Sequence, residues 1–279
     1  MMLVSQHDVH IWHACLNQPE AYVQHLASSL STDEQARASL FRHQQDSRRY
    51  IVSHGLLRCI LGSYLQLAPG QVQFQYENDG KPAIQETTTV RANMVHFNMS
   101  HSHEMALYAV TRGRAVGIDI EYMRHILAVE QLVERCFSRA ERDAFYTLAP
   151  DEREAAFFRG WTRKEAYLKA IGTGLKTPLA SVEVSFVLNE PSVLLNVGEN
   201  REHAQKDTCW SLQDVESAHG YVAALAVEET DYQLTYYQVP PPQHHDRRDR
   251  GISEGARPKN RWWADKLAVA GPINRRWAR

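Results

Sequence analysis

At 279 residues the chain can bury a real core, as one large domain or two modest ones. Its formal charge of −2 gives no overall basis for a nucleic-acid partner. Cys15, Cys59, Cys136 and Cys209 lie far apart with no CxxC spacing, which argues against a disulfide framework or zinc site and for a reducing compartment. Residues 1–10 have no basic start, and no segment approaches the ~18 apolar residues of a membrane span, so a cytoplasmic chain with no membrane partner is expected.

In chain order, Asp46 to Leu65 reads as an amphipathic helix, with Ile51, Leu56, Leu57, Ile60, Leu61 and Leu65 near helical spacing. Val72 to Tyr76 alternates like a strand, and Asp79-Gly80 follows as a turn. His96 to Met99 and Met105 to Thr111 read as strands around a Ser100–His103 turn. Arg112-Gly113-Arg114 reads as a hinge between halves. Val116 to Ile120 reads as a buried strand. Ser138-Arg139-Ala140-Glu141 is a capping box opening a helix to about Leu148. Asp151 to Ile171 reads as a helix capped by Asp151 and ended by Gly172 and Gly174. Strands are expected over Val182–Val187, Val193–Val197, Trp210–Gln213, Tyr221–Val227 and Gln233–Gln238. Helices accompanying small sheets give an α+β pattern.

From Pro240 the character changes. Residues 240–279 hold ten Lys or Arg against four Asp or Glu, a net +6, which leaves −8 for the rest of the chain. Trp262, Trp263 and Trp277 lie here too, behind the Pro240-Pro241-Pro242 entrance. Such a segment is either a docking arm for an acidic protein, a membrane surface or nucleic acid, or a disordered extension, and the second is the expectation.

Two carboxylate motifs carry the chemistry. In Gly117-Ile118-Asp119-Ile120-Glu121, residues two apart share a strand face, so Asp119 and Glu121 point together while Ile118 and Ile120 point into the core. In Trp161-Thr162-Arg163-Lys164-Glu165-Ala166-Tyr167-Leu168-Lys169, Glu165 and Lys169 are helical neighbours. If that face meets the strand end, Asp119, Glu121 and Glu165 converge with a lysine beside them. Three oxygen ligands with room for water and phosphate suit a hard divalent cation, most naturally magnesium. Alone, each motif has a plainer reading: a surface Asp-x-Glu, or a solvated Glu165–Lys169 ion pair worth ~0.2–0.5 kcal/mol.

Together with Gly80-Lys81-Pro82, Phe97-Asn98-Met99-Ser100-His101-Ser102 and the Gly172-Thr173-Gly174-Leu175 ending, these motifs resemble the 4′-phosphopantetheinyl transferases of the large, two-lobed Sfp type. The resemblance covers about residues 35 to 180. It implies an α+β fold of two similar lobes related by a pseudo-twofold, with lobes at 1–112 and 113–239 ahead of the compositionally distinct basic C-terminal tail over 240–279. It implies transfer of 4′-phosphopantetheine from coenzyme A to a serine of an apo acyl or peptidyl carrier protein, dependent on Mg2+, by a monomer.

The resemblance also implies roles. Asp119, Glu121 and Glu165 hold the metal. Glu165, or a water on the metal, is the general base. Lys169 meets phosphate and the leaving oxygen. Lys81, on the turn made by Gly80 and Pro82, reaches the 3′-phosphate of coenzyme A. Ser100 and His101 contact phosphates, and Arg42 belongs to a first phosphate element in which Gln44 replaces a lysine of some relatives. Lys164 is either functional or half of a structural ion pair, and Trp161 is core packing. Val116 to Met123 and Phe137 are expected where the carrier docks. The rival readings are a coenzyme A or carrier binder without catalysis, a hydrolase of the same pyrophosphate, and a nucleic-acid binder working through its basic tail.

Overall fold

The computed structural model describes residues 2–76, 80–85, 95–187, 192–197 and 209–240. Its elements in order are β1 (Asp8–Cys15), α1 (Glu20–Ala27), α2 (Thr32–Ser39), α3 (Gln44–Leu65), β2 (Phe74–Tyr76), β3 (Pro82–Ile84), β4 (Val95–Ser102), β5 (Met105–Arg112) and β6 (Val116–Tyr122). They continue with α4 (Val129–Cys136), α5 (Arg139–Thr147), α6 (Pro150–Ile171), β7 (Val182–Val184), β8 (Leu194–Val197), β9 (Trp210–Asp214), β10 (Tyr221–Glu228) and β11 (Gln233–Gln238). The α+β reading holds. The basic tail lies outside the described residues from 241 on, as does Asp79 of the expected turn.

Two compact units divide the chain. The smaller takes residues 12–73 with both described ends of the chain, and the larger takes residues 4–11 and 74–235. That division is by compactness. The lobes at 1–112 and 113–239 are a division by resemblance and stay an expectation.

In the smaller unit, α3 runs for 22 residues and stops where Gln66 turns left-handed at φ 59°. Gly55 lets α3 approach α1: a Cβ there would lie 2.7 Å from the Leu26 Cβ. Ser31 and Glu34 form a reciprocal capping box on α2, and Glu34 is buried against Arg58 at 2.7 Å. Arg58 also donates to the Val72 carbonyl at 2.7 Å.

In the larger unit, sheet order is β6-β10-β9, with β10 antiparallel to both neighbours. A second sheet follows the order β11-β1-β5-β4, of which β1 to Ile11 and β11 to Thr235 belong to this unit. The helix α6 lies along β6 and β10. Gly117 makes that approach feasible, because a Cβ there would meet the Ala166 carbonyl at 2.0 Å and the Ala170 nitrogen at 2.4 Å. The first residue of the Gly-Ile-Asp-Ile-Glu motif is thus a packing requirement, and it brings the Glu165–Lys169 face of α6 against β6.

Details differ from the sequence reading. Ala149, not Asp151, caps α6, with its N–H held by the Glu152 carboxylate at 3.3 Å and Pro150 at the first helical position. The predicted Ser100–His103 turn begins later: β4 continues through Ser102, and His103 (φ 51°) carries the reversal. Elements β1, α1, α2 and α4 carry no mark in the reading. Each is eight residues long, and β1 is buried on both faces from Val9 to Trp12, which erases alternation.

Candidate active site

The site grows from β4 and β6 in the larger unit. Asn98, Ser100 and Ser102 of β4 reach β6 with their side chains. Asn98 accepts the Ile118 N–H at 2.9 Å. Ser100 donates to Asp119 Oδ1 at 2.8 Å. Ser102 donates to Glu121 Oε2 at 2.7 Å and accepts the Tyr122 N–H at 3.1 Å. A period-2 strand puts residues 98, 100 and 102 on one face, so this polar row is what the alternation within Phe97–Ser102 encodes. The sequence reading drew Ser100 from that block and passed over Asn98 and Ser102. Their alternation opposite Asp-x-Glu was the signal available.

From α6, Lys169 reaches into the same place. Its ammonium donates to Asp119 Oδ1 at 2.6 Å, to Ser100 Oγ at 2.9 Å and to the Ile118 carbonyl at 3.4 Å. The helical neighbour Glu165 is not its ion-pair partner. Asp119 is, from 50 residues away. The Ser100 hydroxyl, expected on phosphate, is engaged by the carboxylate and the ammonium.

Electrostatics tie the three carboxylates together. Burial pushes Glu165 above the usual carboxylate range, and the charges of Asp119 and Glu121 add to it against the pull of Lys169. Burial likewise raises Glu121, opposed by its hydrogen bond from Ser102. Among the described residues, however, no three His, Cys, Asp or Glu side chains close into a metal-binding group. The expected convergence is therefore looser than a protein cage. The donor set still suits magnesium, which keeps waters and takes one or two carboxylates plus substrate phosphates. One atom is poised for it: Asp119 Oδ2 is buried and has no hydrogen-bond partner. A bare carboxylate oxygen in that setting is costly without a cation or a donor.

Other predicted residues fall elsewhere. Lys81 donates to the Val116 carbonyl at 3.3 Å and the Ala170 carbonyl at 2.9 Å, tying the start of β6 to the end of α6. Gly80 is left-handed at φ 82°, and Pro82 opens β3 opposite Tyr76. His101 is exposed on the other face of β4 from Ser100. Arg42 is exposed just before α3 in the smaller unit.

Lys164 settles as structural. Fully buried, it meets Glu141 at 2.5 Å and the carbonyls of Cys136 and Leu179, while Glu141 also accepts the N–H groups of Ser138 and Val184. Phe137, expected at a docking surface, is 1% exposed among Phe145, Phe157 and Phe186. Trp161 packs against the same cluster.

Comparison with known proteins shows the family. Residues 115–226 match the family model for the 4′-phosphopantetheinyl transferase superfamily, and residues 12–112 match the N-terminal 4′-phosphopantetheinyl transferase model. The 4′-phosphopantetheinyl transferase HetI of Nostoc sp. is 39% identical over 230 residues, which cover 82% of this chain and 92% of HetI. The chain belongs to the 4′-phosphopantetheinyl transferase superfamily. It is an enzyme of that type. The transferase psf-1 of Bacillus pumilus is 34% identical over 57% of this chain and 65% of its own, and Sfp of Bacillus subtilis is 29% identical over 56% and 66%. Among the described residues of this transferase, no helix is long and apolar enough to cross a membrane.

Proposed function

We propose that this transferase moves 4′-phosphopantetheine from coenzyme A to a serine of an apo acyl or peptidyl carrier protein, with magnesium, in the cytoplasm and as a monomer. The observation that carries the site assignment is the Asp119 carboxylate. One oxygen takes the Lys169 ammonium at 2.6 Å and the other is buried and bare.

The serine hydroxyl oxygen bonds to the β-phosphorus of the pyrophosphate as the bond from that phosphorus to the bridging oxygen breaks, and adenosine 3′,5′-bisphosphate leaves. Magnesium, when bound, would supply charge neutralisation for the pyrophosphate oxygens. Asp119 and Glu121 would hold it, with Glu165 on the same side. Glu165 accepts the serine proton; its burial beside two other carboxylates favours the protonated form that it then reaches. Lys169 lies one oxygen away on Asp119, placed to meet the developing charge of the leaving phosphate. Ser100 holds Asp119, His101 stands exposed for a phosphate, and Gly80 opens backbone beside the nucleotide. Arg42 is the candidate for a further phosphate contact. Lys81 is reassigned: its ammonium already serves two carbonyls, so it acts by bracing β6 on α6. The lobes at 1–112 and 113–239 remain part of this reading.

Intact-mass analysis of a panel of apo carriers with coenzyme A and magnesium tests it. One phosphopantetheine mass should appear on the carrier serine with the natural chain, and transfer should drop about 100-fold or more with Asp119→Asn, which keeps the shape and removes the charge. No gain on any carrier from folded enzyme overturns the assignment. Phosphopantetheine released without a carrier would indicate the hydrolase instead.

A further inference from the structure

Ser102 stands opposite Glu121 in an arrangement that leaves its proton no choice. Its hydroxyl is 3.1 Å from the Tyr122 nitrogen, whose N–H can only donate, so the serine oxygen accepts there. The one hydroxyl hydrogen then goes to Glu121 Oε2, 2.7 Å away. A carboxylate that accepts a hydroxyl proton at a fixed place is held in one rotamer, with Oε2 engaged and Oε1 directed elsewhere. Ser102 itself cannot swing away without leaving the Tyr122 N–H bare at the end of β6. Tyr122 is further fixed by aromatic contacts: its ring stacks on His103 at 4.8 Å and meets Tyr221 edge-on at 5.1 Å. The Tyr221 hydroxyl in turn accepts the Glu104 N–H at 3.3 Å, so the reversal between β4 and β5 is tied back to β10.

The two serines of β4 therefore do parallel work on the two carboxylates of β6. Ser100 shares Asp119 with Lys169, which could hold that carboxylate by itself. Glu121 has no lysine at hydrogen-bond distance among the contacts of this site, and Ser102 supplies its hydroxyl partner. Losing Ser102 should accordingly be felt more than its exposure suggests.

We propose that Ser102 is a positioning residue of the transferase, which fixes Glu121 for the cation through a hydroxyl whose direction the Tyr122 N–H dictates. This rests on the reading that Glu121 holds magnesium. Partners of ligating groups of this kind are worth about 10–100-fold in metal affinity.

The test uses the full chain and Mn2+ as a paramagnetic stand-in for magnesium, its binding measured by electron paramagnetic resonance in the presence of coenzyme A. Metal-free melting temperatures are recorded in parallel. Ser102→Ala should weaken Mn2+ binding about 10-fold, and Ser102→Thr, which restores the hydroxyl on a β-branched strand residue, should return it to within about 3-fold of the natural chain. The activation constant for magnesium should rise in the alanine variant while KM for the carrier stays unchanged. Binding by Ser102→Ala within about twofold of the natural chain overturns the proposal. So does a loss that threonine fails to restore, because shape rather than the hydroxyl would then matter. If the alanine variant does not fold, the threonine variant decides: weak metal binding in a folded threonine chain overturns the role. A natural chain that transfers phosphopantetheine yet binds no Mn2+ refutes the metal reading beneath the proposal, and is distinguished by needing no variant.

Discussion

Lys81 shows how much a single ammonium can be claimed by the fold. Its two acceptors are the carbonyl of Val116, at the head of β6, and that of Ala170, in the last turn of α6. A cation at a helix C-terminus also meets the negative end of the helix dipole. Hydrogen bonds from a charged donor are worth about 1.5–3 kcal/mol each when their loss strands a partner. Lys81→Met should therefore lower stability by about 2 kcal/mol in urea unfolding. The preference for coenzyme A over 3′-dephospho-coenzyme A should be the same in this variant as in the natural chain. Loss of that preference with stability intact would return Lys81 to the 3′-phosphate.

At the scale of elements, the site depends on how closely α6 approaches β6. Gly117 is the contact point, with the Ala166 carbonyl 2.0 Å from where a Cβ would stand. These are backbone atoms, so no rotamer change relieves the clash and α6 must move outward. Gly117→Ala should cost about 3 kcal/mol or more, at the upper end of overpacking, and should lower the melting temperature. Because Lys169 reaches Asp119 from that same face, transfer should fall even at temperatures where the variant remains folded. Circular dichroism melts beside carrier-mass assays check both. A helix that relaxed around alanine with activity intact would show that the spacing is not what sets the Lys169–Asp119 contact.

At the scale of the molecule, pH enters through buried imidazole. His13 sits in the smaller unit against Tyr236, and burial lowers it from 6.5 to about 4, with Nε2 left without a partner. The unfolded chain binds that proton below 6.5 and the folded chain only near 4. Its contribution is whole above pH 6.5 and is lost as pH falls from 6.5 toward 4, up to about 3 kcal/mol. His10, also lowered by burial, acts with the same sign. Glu121 and Glu165 act oppositely: raised in the fold, their ionised forms lose stability as pH rises past the ordinary carboxylate range. His13→Phe should flatten the urea midpoint between pH 7 and 4.5 relative to the natural chain, and an unchanged slope would clear His13 of the effect.

The tail belongs to this scale too. Val239 is buried, and its N–H bonds the His13 carbonyl at 2.9 Å within the smaller unit. Truncation after Val239 keeps that contact and removes the net +6. The shortened chain should keep kcat on a small carrier. Any rise in apparent KM for an acidic carrier should fade as salt rises, with a Debye length of ~10 Å at about 0.1 M. A collapse of kcat would show that residues beyond 239 serve the chemistry.

The amino-acid sequence alone determined what local periodicity and local chemistry can determine. Alternation placed Asp119 and Glu121 on one face of β6, helical spacing placed Glu165 and Lys169 together on α6, and Gly172 ended that helix in a left-handed turn. The Ser138–Glu141 capping box was likewise readable from four residues. Their order along the chain was enough to show the family resemblance. Short or doubly buried elements such as β1, α1 and α2 gave little periodic signal, whereas α4 carries Val129, Leu132, Val133 and Cys136 at helical spacing and was legible but passed over. Tertiary structure decided which partner each charge takes. Lys169 chose Asp119 across 50 residues rather than Glu165 one turn away, and Lys81 took carbonyls 35 and 89 residues distant. Lys164 and Phe137 went into the core. Such choices follow from the separation between packed elements, here set by Gly117 beneath α6, and no local pattern encodes a distance between strands and helices that meet only after folding.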